Sequence, residues 1–293
     1  MSNLIAVAFA LSSAAVIAWG TVVRQQIAES ASAGVLRTAI RRPLWWVGTG
    51  TAVVGYGLQV VALGFGTLLL VQPVLVLSLM FTLPLAAWYQ GRRTTTFENA
   101  WSLVLTIAVA VLLILGRPAH GMVRPPLERW LPALIIGVLT MLTLAWISRR
   151  FRSQQALLLG IVCGGIYGYV AVLSKAVVDI FTNEGFIALF STWHLLGLVL
   201  SAGTGTIVQQ YAFHAGPLKH SLPAMTVIEP IVAFSLGYAI LNEKFQVDSF
   251  LGWMVMALAL LVMVTATVLL SQQPAVSRPQ PHNRAATPPV SRS

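Results

Sequence analysis

Long apolar stretches separated by short charged or polar breaks run along nearly the whole chain. Nine stretches have the length to cross a bilayer, near 4–23, 44–64, 67–90, 99–116, 130–148, 156–178, 191–213, 218–241 and 249–270. The expected fold is therefore all-α: a polytopic membrane bundle of about nine transmembrane helices. The transporter domain would occupy residues 1–270. The apolar start could pass for a signal peptide with Ala31-Ser32-Ala33 as its cleavage site. It lacks a basic segment in front, since its first positive charge is Arg24, and it reads as a retained helix.

A second pattern lies over the first. Ala52, Gly55, Gln59, Ala62, Gly66, Leu68 and Pro73 recur 150 residues on as Ala202, Gly205, Gln209, Ala212, Gly216, Leu218 and Pro223. The arms run over about 44–116 and 194–266, so that spans two to four mirror spans seven to nine. A displacement of five spans makes the two copies enter the membrane from opposite sides, which is an inverted-topology repeat, a frequent ground plan of secondary transporters. The small shared residues let helices approach closely. Pro73, Pro223 and Pro230 each withhold a backbone N–H and are expected to break helices.

Composition agrees. Of 293 residues 57% are hydrophobic and 9% charged, too few charges to cover a soluble domain of this size. The net charge of +10 invites a nucleic-acid reading, but the 18 Lys and Arg lie at the ends of spans, between them or in the tail. Thirteen fall on one side of the nine-span layout and five on the other. The positive-inside rule then places the N-terminus outside and the C-terminus in the cytoplasm of a multi-pass cell-membrane protein. Residues 271–293 hold five prolines, three arginines and no acid, which is the composition of a disordered basic cytoplasmic tail. The lone Cys163 excludes a disulfide framework and reads as a small apolar filler.

Candidate chemistry centres on Glu229, an isolated acid in the middle of span eight and followed by Pro230. An intramembrane carboxylate is costly unless protonated, paired or facing a wet cavity, so by default it marks a solute or proton pathway. Thr226 shares its helical face. Tyr167 and Tyr169 at mid-depth in span six are candidate partners. Gln59 and Gln72 toward the outside, and Gln209, Gln210 and His220 toward the inside, are candidate vestibule groups, or interhelical hydrogen-bond partners. The matching position in the first arm is Leu79, so the repeat is symmetric in backbone but not in charge.

Other charged and aromatic positions have plainer readings. Lys175 and Lys219 are read as snorkelling interface residues. Glu243 and Asp248 are read as solvated in the loop after span eight, or paired with Lys244. Trp45, Trp46, Trp88, Trp101, Trp130 and Trp253 fit an aromatic belt. His194, His214 and His220 share no metal-ligand spacing on one helix, so no metal site is expected. No paired-carboxylate, phosphate-loop or nucleotide motif is present, which argues against an enzyme and against a cofactor.

Pro43-Leu44-Trp45-Trp46-Val47-Gly48 resembles the start of the second span in NIPA-like proteins of the drug/metabolite transporter superfamily. Leu70 to Ser78 resembles that family's proline segment, and Ser221-Leu222-Pro223 with Leu241-Asn242-Glu243-Lys244 resembles its counterpart in the second half. Glu229-Pro230 with Asn242-Glu243 is similar to the EamA-type version. The resemblance implies an inverted-repeat bundle that moves a small solute by alternating access. NIPA-like relatives are associated with magnesium and EamA-type relatives with metabolite export. The exit of span three reads Gly91-Arg92-Arg93, without an acid, which counts against magnesium. Expected partners are a small-molecule or ion substrate and membrane lipids, with no nucleic acid and with a homodimer left open. A non-transporting membrane scaffold is the alternative from another class.

Overall fold

A computed structural model describes residues 2–30, 43–89, 91, 93–122, 124–215 and 218–272, with the backbone alone at 24–30, 43–49 and 218–220. The Ala31-Ser32-Ala33 segment, Arg37, Arg41, Arg42, Arg92, Gly216, Pro217 and the tail beyond 272 lie outside the described residues. So do the side chains of Arg24, Trp45, Trp46, Leu218, Lys219 and His220.

The described residues are almost entirely helical. In chain order the helices are α1 (Ser2–Ser30), α2 (Pro43–Phe65), α3 (Leu68–Val76), α4 (Ser78–Tyr89), α5 (Thr96–Gly116) and α6 (Leu127–Arg150). They continue with α7 (Gln155–Glu184), α8 (Phe186–Phe190), α9 (Trp193–Ala215), α10 (Leu218–Ala239) and α11 (Phe250–Ser271). Seven segments are long and apolar enough to cross a membrane: Ser2–Val23, Leu68–Tyr89, Thr96–Gly116, Leu127–Arg150, Arg152–Glu184, Ser221–Ala239 and Phe250–Ser271. The chain is a multi-pass membrane protein. Within α2 only the shorter stretch Gly50–Phe65 is counted as an apolar helix, and α9, which carries His194, Gln209, Gln210 and His214, falls outside the set.

The expected third span is two helices. Thr67 caps α3, its hydroxyl accepting the Leu70 N–H, and the helix ends at Val76, three residues after Pro73. The opposite holds for Pro223 and Pro230. The expected breaks do not form, and α10 runs through both prolines, each withholding one N–H from the ladder. α5 opens with a capping box, Thr95 and Glu98 satisfying each other's backbone donors.

Small residues decide how the helices meet. On α1 the stripe Ala6, Ala10, Ala14 and Ala18 is fully buried, and the helix packs on α2, α3 and α4. On α7 the buried stripe is Ala156, Gly160, Gly164 and Gly168, each member 150 residues beyond its counterpart. A Cβ at Gly160 would stand 2.7 Å from the Ser221 carbonyl oxygen, and one at Gly164 2.8 Å from that of Met225. Only glycine lets α7 lie this close to α10. In lipid, where apolar side chains gain nothing by exchanging lipid contacts for one another, such backbone proximity is a main source of helix association.

A hydrogen bond repeats the same offset. Ser13 donates to the Gly55 carbonyl at 2.7 Å, and Cys163 to the Gly205 carbonyl at 3.6 Å, each pair 42 residues apart. α7 is the central helix and contacts α2, α6, α9 and α10. α6 is peripheral, burying only Trp130 and Ser148, with apolar side chains such as Ile136 and Leu142 turned outward as a lipid-facing surface requires.

Candidate functional site

Around Glu229 the expected cluster is partly assembled. α10 crosses α7 so that the Glu229 carbonyl oxygen lies beside Gly168, and the carboxylate is within electrostatic reach of Cys163. Tyr167, one turn along α7 from Cys163, donates to Gln209 Oε1 of α9 at 3.4 Å. Tyr169 turns the other way and donates to the Ala133 carbonyl of α6. Thr226 bonds back to the Leu222 carbonyl. No described residue forms a hydrogen bond or ion pair with the Glu229 carboxylate, which is half-buried against neighbouring side chains.

The other candidates sit elsewhere. Gln59 and Gln72 are buried on α2 and α3, and Gln72 Nε2 has no hydrogen-bond partner. Gln210 is exposed on α9. No described hydrogen bond links any of these three to Glu229.

A second site lies at one end of the bundle, where backbone bonds lace two loops together. Ala119 N–H donates to the Lys244 carbonyl at 2.9 Å, Gln246 N–H to that of Gly116 at 2.8 Å, and Met122 N–H to that of Leu241 at 2.6 Å. Gly121 presses on the Leu241 backbone, where a Cβ would overlap it. Beneath this cap Glu243 is buried at 1% exposure. Its Oε1 accepts the Leu68 N–H at 2.9 Å and its Oε2 the Leu69 N–H at 3.0 Å. A carboxylate thus satisfies two free donors in the first turn of α3, at the positive end of that helix's dipole. The reading of Glu243 as solvated or paired with Lys244 is corrected: the left-handed turn at Asn242 carries the chain inward. Burial pushes the Glu243 carboxyl up to about 7, against the opposing pull of the two N–H groups and of Lys175.

Lys175 is likewise not a snorkelling residue. At 4% exposure its ammonium donates to Asp179 Oδ1 at 2.7 Å and to the Leu63 carbonyl of α2 at 2.8 Å. Asp179, one turn on along α7, was not singled out from the sequence, although the i,i+4 spacing of opposite charges was legible. Lys175, Asp179 and Glu243 border a cavity of about 310 Å³, together with Gly64, His120, Gly121, Met122, Thr182, Asn183 and Leu241. A larger cavity of about 600 Å³ opens between α1 and the end of α5, but its walls are mainly apolar. The smaller one holds Lys175 and both carboxylates and is the better candidate for a polar ligand.

Trp130 is also corrected. It is fully buried rather than part of a belt, its ring edge-on to Trp193 at 5.0 Å and to His194 at 5.4 Å between centroids. Neither ring nitrogen of His194 has a hydrogen-bond partner. Among the described residues no group of three or more His, Cys, Asp or Glu is placed to hold a metal ion.

Comparison with known proteins gives three relatives. Over 279 residues the chain is 53% identical to an uncharacterised protein of Corynebacterium glutamicum, spanning 92% of this chain and 96% of that one. It is 25% identical over 263 residues to an Arabidopsis thaliana protein named probable magnesium transporter NIPA9, across 82% of this chain and 74% of the relative. It is also 25% identical over 188 residues to the Arabidopsis probable magnesium transporter NIPA3, across 59% and 50%. No family model and no solved structure matches the chain.

Proposed function

The chain belongs to the family of the Corynebacterium glutamicum protein, and we propose that it is a secondary active transporter of a small polar or cationic solute. It works by alternating access across the cytoplasmic membrane and is coupled to protons. The observation that carries this reading is Glu229: a carboxylate inside a membrane helix, beside Pro230, with no described hydrogen-bond or ion-pair partner. An intramembrane carboxyl is costly as a bare ion and can trade its proton for a cation, which is the elementary exchange of a coupled carrier.

The repeat supports alternating access. Ser13 with Gly55 and Cys163 with Gly205 form one contact twice, and the stripes on α1 and α7 share its offset. Read as nine crossings, two arms of opposite orientation rock about a site between them. The arginine and lysine distribution favours an N-terminus outside and a C-terminus in the cytoplasm.

In liposomes holding a pH-sensitive dye, a transported cation should move protons, and Glu229→Gln should abolish that movement. If no candidate solute moves protons and the variant behaves as wild type, proton coupling is lost.

A second reading is transport of magnesium, favoured by the two Arabidopsis relatives named probable magnesium transporters. Magnesium keeps several of its waters and prefers oxygen ligands, so Glu229 would hold it largely hydrated. Cells overproducing the protein should then show altered magnesium uptake, and unchanged uptake sinks the reading. The names of these relatives favour transport over both catalysis and a scaffold role. Deleting residues 273–293 separates carrier from scaffold: a carrier keeps its flux without them.

A further inference from the structure

We propose that the capped-end cavity is a binding site for an ammonium-bearing organic cation, and that the Lys175 side chain is its resident in the empty protein. An incoming amine displaces the Lys175 ammonium from Asp179 and the Leu63 carbonyl. The inference rests on the cationic-solute reading and names the chemistry that solute would carry.

The site already shows what it accepts. The Lys175 ammonium sits between a carboxylate oxygen at 2.7 Å and a main-chain carbonyl oxygen at 2.8 Å, in the geometry of charge-assisted N–H···O bonds. The remaining walls are rich in acceptors. Asn183 spends its amide N–H groups on the Asp179 carbonyl and the Thr182 hydroxyl, which leaves its side-chain oxygen as the group to offer. Each Glu243 oxygen holds one backbone N–H and retains a second lone pair.

Charge and volume agree. Asp179 and Glu243 face one lysine and His120, so with both acids ionised and the imidazole neutral the pocket carries an uncompensated negative charge that draws a cation inward. The cavity measures about 310 Å³, several times the roughly 30 Å³ share of one water in the liquid. It has room for a small amine while the flexible lysine stem swings aside. A purely structural ion pair would be better packed over, since a buried pair gains little against apolar side chains of the same volume. This pair instead borders open space. A bare divalent metal fits less well, for no group of three metal-binding side chains is assembled among the described residues.

The test uses the full chain purified in detergent, titrated calorimetrically with methylammonium chloride, and with magnesium chloride and sodium chloride at matched ionic strength. If Lys175 fills its own site about nine-tenths of the time, it weakens apparent affinity about tenfold. Lys175→Gln, which retains a donor for the Leu63 carbonyl, is expected to bind methylammonium about tenfold more tightly than wild type, and Asp179→Asn to lose that binding. Lys175→Met, which keeps the stem, repeats the measurement where the glutamine variant does not purify. Unchanged methylammonium affinity in the lysine variants, or a response to magnesium alone, overturns the proposal. Flux in proteoliposomes is read separately. Lys175-dependent binding without flux keeps the site and defeats the transport reading, while flux without Lys175-dependent binding does the reverse.

Discussion

Glu243 reaches across 175 residues of chain to accept the Leu68 backbone N–H at 2.9 Å. The bond joins the loop between α10 and α11 to the first turn of α3 and closes one end of the bundle. In the proposed alternating-access cycle, opening that end would break this bond and its neighbour at Leu69. Glu243→Ala is therefore expected to lower stability by about 1–3 kcal/mol, the cost of leaving buried backbone donors unsatisfied. Thermal unfolding in detergent measures it.

Glu243 also predicts a pH dependence. Its carboxyl is raised from an ordinary 4.5 to about 7, with Lys175 opposing the rise and Asp179 adding to it. Between those values the native state keeps a proton that the unfolded chain has released, so stability falls as pH rises from about 5 to about 7. The melting temperature should drop across that window, and Glu243→Gln should flatten the drop. An unchanged slope in the variant would assign the dependence to another group.

The contact of α7 with α10 offers a packing test. Gly164→Leu places a side chain where even a Cβ meets the Met225 carbonyl oxygen at 2.8 Å. The expected loss is about 1–3 kcal/mol through forced separation of the helices. Gly203→Ala, with nothing within 4 Å of its Cβ, is the control and should be neutral or slightly stabilising. Equal melting temperatures for the leucine variant and wild type would show that the two helices do not depend on this approach.

Glu229→Gln separates chemistry from folding. With no described partner to lose, the amide should leave the melting temperature unchanged or raise it, because a half-buried ionisable group has been removed from a membrane helix. Proton-coupled flux should vanish in the same preparation. A variant that unfolds instead would make Glu229 a structural residue.

The cysteine gives a test of the repeat. Cys163→Ser copies into the second arm the hydroxyl that Ser13 presents in the first, and should bond the Gly205 carbonyl at least as well as the thiol. Stability should stay within about 1 kcal/mol of wild type, whereas Ser13→Val, losing its bond to Gly55, should fall below it. A reversed order would mean that the two contacts are not equivalent.

The hydrophobic pattern by itself determined that the chain is a helical, multi-pass membrane protein, because continuous apolar stretches of this length satisfy their own backbone in lipid as helices. It also determined the isolation of Glu229, since an acid amid apolar neighbours is visible in one dimension. Pro73 and Pro223 look alike in the repeat, yet α3 ends soon after the first and α10 continues through the second. Packing against neighbouring helices decides whether a helix survives the missing N–H. By sequence alone Lys175 reads as a snorkelling residue and Glu243 as a solvated loop residue, and Asp179 does not stand out. Only the tertiary structure decided that the 240–248 loop folds inward, burying Glu243 on the first turn of α3 and leaving Lys175 and Asp179 beneath it. Glu243 stands 175 residues from Leu68 along the chain and Lys175 112 from Leu63, and hydrophobic periodicity carries no information about which helix ends meet.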